Sequence, residues 1–111
     1  MKTKNKVLLP IITLLLVFRT LKIVSAIETG KILFKDNCSV CHLHGNNIII
    51  PEKNLKHSTL EANGMNSKDA ISYQIINGKN GMPAFGGRLK ESEIEKIASY
   101  VLEQAANNFE N

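Results

Sequence analysis

The chain has 111 residues, enough for one domain. Its formal net charge of +4 does not signal a nucleic-acid partner. Residues 1–26 hold five of the fourteen Lys and Arg and none of the ten Asp and Glu, so residues 27–111 carry nine bases and ten acids, a net of −1. With no Trp and only five Phe and Tyr, those 85 residues would bury only about 60–65% of their unfolded surface, marginal for a domain without a staple.

Lys2, Lys4 and Lys6 make a basic start, and Val7 to Phe18 is an apolar run interrupted only by Pro10 and Thr13. Val24-Ser25-Ala26 follows with the small-residue pattern of a signal-peptidase site. This predicts a cleaved signal peptide over 1–26 and a mature domain over 27–111. The twelve-residue run falls short of the roughly twenty that span a bilayer. Arg19 and Lys22 are unusual so close to a cleavage site, and an uncleaved anchor is the alternative.

Glu28 to about Asn37 reads as a helix with Ile32, Leu33 and Phe34 on its apolar side. Gly30 is either an ordinary helix-start glycine or a place where another helix comes close. Next stands Cys38-Ser39-Val40-Cys41-His42, which holds both cysteines of the chain. Two thiols about one helical turn apart can each form a thioether with one vinyl group of a porphyrin, and a histidine directly after them can ligate the iron. The motif therefore predicts one covalent c-type haem, with Cys38 and Cys41 as attachment sites and His42 as an iron ligand. Three other uses compete. A disulfide would close a very small loop, and a thioredoxin-like pair needs a βαβ pattern that is not visible. A zinc site drawing on His42, His44 or His57 has poor ligand spacing.

Gly45-Asn46-Asn47 is turn chemistry. Ile48-Ile49-Ile50-Pro51 lacks a partner strand and reads as a loop packing on the haem. Lys53 to Asn63 holds a short helix around Leu55 and Leu60, ended by Asn63-Gly64. Ser67 is a suitable N-cap for a helix carrying Ala70, Ile71, Ile75 and Ile76, which stops at Asn77-Gly78. Gly81 to Gly87 shows no helical or strand period. Ile94, Ile97, Ala98, Val101, Leu102 and Ala105 then mark one face of a final helix ending at Asn107-Asn108. Glu91, Glu93 and Glu95 favour its positive N-terminal end, whereas Lys90 is a poor cap.

Four side chains are candidates for the second iron ligand: Met65, Met82, His44 and His57. His44 is two residues from His42 and cannot reach the opposite side of a ring. Met82 stands in a glycine-rich loop rather than on an apolar helix face. Pro83 biases it toward an extended backbone, and Gly81 allows close approach. Met82 is the preferred ligand and Met65 the second choice. A thioether favours ferrous iron and raises the reduction potential. Six-coordinate iron leaves no open position, which argues for electron transfer rather than catalysis.

The chain resembles cytochrome c6, the photosynthetic electron carrier, over residues 27–109. The resemblance is carried by Cys38 to His42 with Gly45-Asn46-Asn47, by Pro51-Glu52-Lys53, by Leu60 to Met65 and by Ile76 to Lys79. Met82-Pro83-Ala84-Phe85-Gly86-Gly87-Arg88-Leu89 and Tyr100-Val101-Leu102 complete it. It implies an all-α, class I cytochrome c fold of about four helices around one covalent haem, and a non-enzymatic, monomeric carrier. Thioethers at Cys38 and Cys41 and axial ligation by His42 and Met82 are also implied. Electrons would pass from the cytochrome b6f complex, through cytochrome f, to photosystem I in the thylakoid lumen of a plastid or cyanobacterium. The protein would not be membrane-embedded once the leader is removed. Gln74 matches a family glutamine near the haem that tunes its potential, and Arg88 a family arginine implicated in docking. Lys90 and Phe109 depart from the family pattern, which has a small or acidic cap and often Trp at these places.

Overall fold

The computed structural model describes residues 5–110, with side chains from residue 8 onward. Among these residues the architecture is all-helical: α1 (Asn5–Asn37), α2 (Ser39–His42), α3 (His57–Ala62), α4 (Lys68–Asn77) and α5 (Glu91–Ala106). Two 3₁₀ turns, Leu43–Gly45 and Pro51–Lys53, punctuate the segment between α2 and α3.

The first helix is longer than the expected Glu28–Asn37. It runs without a break through the apolar leader, so Ala26 and Ile27 lie inside α1. Leu8 to Val24 is exposed along its whole length. Thr13, Thr20 and Thr29 turn their hydroxyls back to the carbonyls of Leu9, Val17 and Ser25, so these polar side chains are satisfied within the helix. Leu8–Asn37 is long and apolar enough to cross a membrane, judged by length and composition.

The core forms where the C-terminal part of α1 crosses α5. The expected apolar face of α5 is buried at Ile94, Ile97, Ala98, Val101 and Ala105. Gly30 lies at the crossing: a Cβ there would meet the Lys96 carbonyl and the Tyr100 Cβ, so the close-approach reading of Gly30 holds. Phe34 stacks at a tilt against Tyr100, with ring centroids 5.3 Å apart, and against Phe109 at 6.1 Å. Phe109 also lies over Gly45, where φ is +75° and a side chain would collide with its ring. The C-terminal end is thereby tied to the segment after α2.

In an open helix interior, Gly→Ala stabilises by about 0.8–1.0 kcal/mol. At Gly30 the sign should reverse, because the new methyl meets a backbone carbonyl that cannot rotate away. Gly30→Ala is expected to cost about 1–3 kcal/mol, read as a lower denaturation midpoint of the haem-loaded protein. An unchanged or higher midpoint contradicts the crossing described above.

The helix ends follow local chemistry. Ser67 Oγ accepts the Ala70 N–H at 3.2 Å, as expected of the N-cap of α4. Gly78, at φ +66°, closes that helix by donating its N–H to the Gln74 carbonyl at 2.8 Å. The Lys90 ammonium can accept no hydrogen bond and does not cap α5. Instead Glu93 Oε1 reaches back to accept the Lys90 N–H at 2.9 Å, one half of a capping box.

Candidate functional site

The cysteine–histidine motif is held by the end of α1 and the single turn of α2. The Cys38 N–H donates to the Phe34 carbonyl at 2.8 Å, continuing the α1 ladder. The Cys41 and His42 N–H groups both donate to the Cys38 carbonyl, at 3.2 and 2.9 Å. Both thiols are free. Burial pushes the Cys38 thiol up to about 11, whereas a redox-active pair needs a stabilised thiolate. Among the described residues no three His, Cys, Asp or Glu side chains gather into a metal-binding group. The arrangement thus favours neither thiol redox chemistry nor zinc.

His42 is oriented by a partner not foreseen in the sequence. Its Nδ1 lies 2.9 Å from the Asn46 carbonyl oxygen. A carbonyl only accepts, so Nδ1 carries the proton and Nε2 keeps its lone pair for a metal. Asn47 shapes the following turn: its Oδ1 accepts the N–H groups of Ile49 and Ile50, at 3.0 and 2.9 Å. Ile49 and Ile50 reach the cavity wall, and Ile48 is exposed.

A cavity of about 360 Å³ opens in the middle of the domain. Cys38, Cys41, His42, Gln74, Met65 and Met82 all line it. Its apolar wall comes from Phe34, Leu60, Ile71, Ile75, Phe85 and Ile97. Asn37, Asn54, Asn63, Lys53 and Lys79 supply polar groups. Apolar walls, two free thiols, an imidazole with a bare nitrogen and a thioether suit an amphipathic, covalently attached, metal-bearing ring. Such a ring could be held by Cys38, Cys41, His42 and one methionine.

The structure separates the four candidates for the second ligand. His44 sits exposed in the left-handed region at φ +56° and does not line the cavity. His57 is also outside the lining, 3.3 Å from Glu61 on the exposed side of α3. Both methionines line the cavity, but their supports differ. Met65 follows a helix end, its N–H donating to the Leu60 carbonyl at 2.7 Å.

Met82 is held by a two-residue turn. Lys79 and Met82 exchange both backbone hydrogen bonds at 3.0 Å, with Asn80 at φ +47° and Gly81 at φ +93° between them. The chain then returns onto the end of α4. Phe85 and Gly86 donate their N–H groups to the Ile75 and Ile76 carbonyls, at 2.9 and 3.1 Å. Gln74, one turn earlier on α4, places Nε2 3.7 Å from Met82 Sδ.

Arg88 does not reach the cavity. It is exposed, and its guanidinium lies 5.1 Å from the centroid of the Phe85 ring. Phe85 itself lines the cavity, so Arg88 stands one side chain away from the site.

Comparison with known proteins gives a consistent picture. The family described as cytochrome c oxidase, cbb3-type, subunit III matches residues 25–101. A cytochrome c6 of Bumilleriopsis filiformis is 57% identical over 84 residues, covering 76% of this chain and 98% of that protein. A cytochrome c6 of a Synechococcus strain is 47% identical over 110 residues, covering 98% of each chain. The solved structure of cytochrome c6 from the diatom Phaeodactylum tricornutum superposes with a TM-score of 0.72 at 42% identity, covering 74% of this chain and 97% of that one.

Proposed function

Because the chain belongs to the cytochrome c6 family, and is therefore an electron carrier of class I cytochrome c fold with a covalently bound haem c, we propose that it delivers electrons to photosystem I. Its donor in this reading is cytochrome f of the cytochrome b6f complex, and its place is the thylakoid lumen of a plastid or cyanobacterium. Bound haem supplies the one-electron ferric–ferrous couple. Cys38 and Cys41 would form the thioethers, and His42 Nε2 and Met82 Sδ would ligate the iron.

The observation that carries this reading is the double support of Met82. The turn at 79–82 and the strap onto α4 bring a thioether to the cavity that His42 also lines. With His42 and Met82 both bound to the iron, no site would be left for substrate, and no acid or base is needed for outer-sphere transfer. The Asn46 carbonyl holds the imidazole against rotation. The Gln74 amide donates toward the sulfur that ligates the iron, a contact through which it tunes the potential.

The test is kinetic. Reduced protein is mixed with photosystem I, and re-reduction of the flash-oxidised donor is followed. The rate should rise in proportion to protein concentration; no re-reduction would end the assignment of this acceptor. A second reading, delivery to a respiratory oxidase, draws on the family match over residues 25–101. It would be favoured by turnover with an oxidase and none with photosystem I.

Arg88 is the proposed docking cation, since it is exposed beside a cavity-lining ring on a domain of net negative charge. Arg88→Glu should slow donation to photosystem I by up to about tenfold at low ionic strength. The difference should shrink as salt is added, and the visible spectrum should not change. Equal rates at low salt would leave Arg88 as an ordinary surface cation.

The leader is proposed to be removed at Ala26. The Bumilleriopsis relative is spanned almost completely by 84 residues of this chain, close to the 85 of positions 27–111. Intact-mass measurement of protein from its source should give an N-terminus at Ile27. Retention of Met1 would instead leave the exposed apolar part of α1 from Leu8 to Val24 as a membrane anchor.

A further inference from the structure

Three Asn-Gly pairs occur in the chain: Asn63-Gly64, Asn77-Gly78 and Asn80-Gly81. Such pairs are chemically labile. The glycine backbone nitrogen can attack the asparagine Cγ, losing its proton to solvent as the new C–N bond forms. The side-chain amide then leaves as ammonia and a five-membered succinimide remains. Water opens the ring at either carbonyl, giving a normal aspartyl or an isoaspartyl linkage. The net change is amide plus water to carboxylate plus ammonium, with no oxidant or reductant. The reaction needs a free asparagine side chain and a glycine nitrogen not held by an acceptor.

Two of the pairs are held on both counts. Asn63 donates Nδ2 to the Thr59 carbonyl at 2.8 Å and accepts from Lys53 Nζ, while the Gly64 N–H donates to the Glu61 carbonyl at 3.1 Å. Asn77 donates Nδ2 to the Tyr73 carbonyl at 2.8 Å, and the Gly78 N–H donates to the Gln74 carbonyl at 2.8 Å. Asn80 and Gly81 are different. Both are exposed at a turn tip, and among the described residues no hydrogen bond holds the Asn80 side chain or the Gly81 N–H. Local opening of such a tip is cheap.

We propose that Asn80 is a spontaneous deamidation site whose conversion to isoaspartate loosens Met82 and so limits the working life of the protein. The position gives the modification its effect. Asn80 and Gly81 are the two central residues of the turn that sets Met82, and both line the cavity. An isoaspartyl link adds one methylene to a two-residue turn, so the paired 3.0 Å bonds between Lys79 and Met82 can no longer both close. It also places a new carboxylate at the cavity. The ligand-release step rests on Met82 being an iron ligand; the modification itself does not.

The haem-loaded protein is incubated in mildly alkaline buffer and then mapped by mass spectrometry and isoaspartyl-methyltransferase labelling. Conversion at Asn80 should exceed that at Asn63 or Asn77 by at least about tenfold, the ratio given by a barrier difference of about 1.4 kcal/mol. The isoaspartyl fraction, once reduced, should bind carbon monoxide that fresh protein excludes. Asn80→Asp, which carries the charge without the rerouted backbone, should still exclude it. Asn80→Gly, which keeps the positive φ of the turn, should pass the same incubation without gaining carbon monoxide binding. Comparable conversion at the three pairs, or an isoaspartyl fraction that still excludes carbon monoxide, overturns the proposal. Fresh protein that already binds carbon monoxide refutes the Met82 ligand and with it the release step, while the map still decides the modification.

Discussion

Met82→Ala is expected to open one axial position of the iron and lower the reduction potential. In the proposed assignment the Met82 sulfur is a soft ligand that favours the ferrous state, and an alanine methyl cannot replace it. Of the other three candidates, only Met65 also lines the cavity. His44 and His57 lie outside the cavity lining, and Met65 is tied to the end of α3 through its N–H bond to the Leu60 carbonyl. The ferrous variant should bind carbon monoxide, and the potential should fall by at least about 59 mV, tenfold in a one-electron equilibrium. Reduction by the upstream donor should weaken as its driving force shrinks. Met65→Ala should do none of this. If Met65→Ala opens the iron and Met82→Ala does not, the ligand assignment is reversed, although the carrier reading survives.

Removing both attachment sites should have the largest effect on folding. In Cys38→Ala/Cys41→Ala protein the haem should be fully extractable into acid organic solvent, whereas Cys38→Ala alone should retain one covalent link. The protein stripped of haem should be largely unfolded. A haem that binds only the folded chain adds its binding free energy to the stability of the fold, and without it the apolar wall of the cavity faces water. The whole stability of a typical domain is about 5–15 kcal/mol. Far-ultraviolet circular dichroism checks this. Full helicity and a cooperative melt in the haem-free protein would show that the fold does not depend on the group. Haem still covalently attached in the double variant would place the linkage elsewhere.

The elements most legible in the sequence were those whose signals are local. The face of α5 repeats at helical spacing for three turns, and Ser67 and Gly78 mark the ends of α4 by side-chain and backbone chemistry that acts within one turn. The attachment motif is legible because its chemistry requires adjacent residues. Three features were not. The single turn Ser39–His42 is too short to show a period, so the sequence does not mark it as a helix. α1 runs on through the leader because Pro10 is the only proline or glycine there and does not end the helix. The third group depends on distant partners. The Asn46 carbonyl on His42, the α4 carbonyls on Phe85 and Gly86, and the Phe109 ring on Gly45 all require the fold first.

The candidate site divides along the same line. Its residue types and order could be read directly, but what holds Met82 could not. A methionine in a glycine-rich loop says nothing about which helix the loop is strapped to. Gln74 shows the same limit: its position on α4 was known, but its 3.7 Å approach to the Met82 sulfur depends on where the strap places residue 82. Arg88 stays exposed, so its role can be decided only with a partner present.

His42 and Met82 together are expected to close the iron. The most direct measurement is the visible spectrum of the reduced wild-type protein before and after carbon monoxide. Sharp ferrous bands that do not change with the gas are the expected result. A prompt spectral shift on adding carbon monoxide would contradict it, because the iron would then have an open position and the protein would suit ligand binding or catalysis instead.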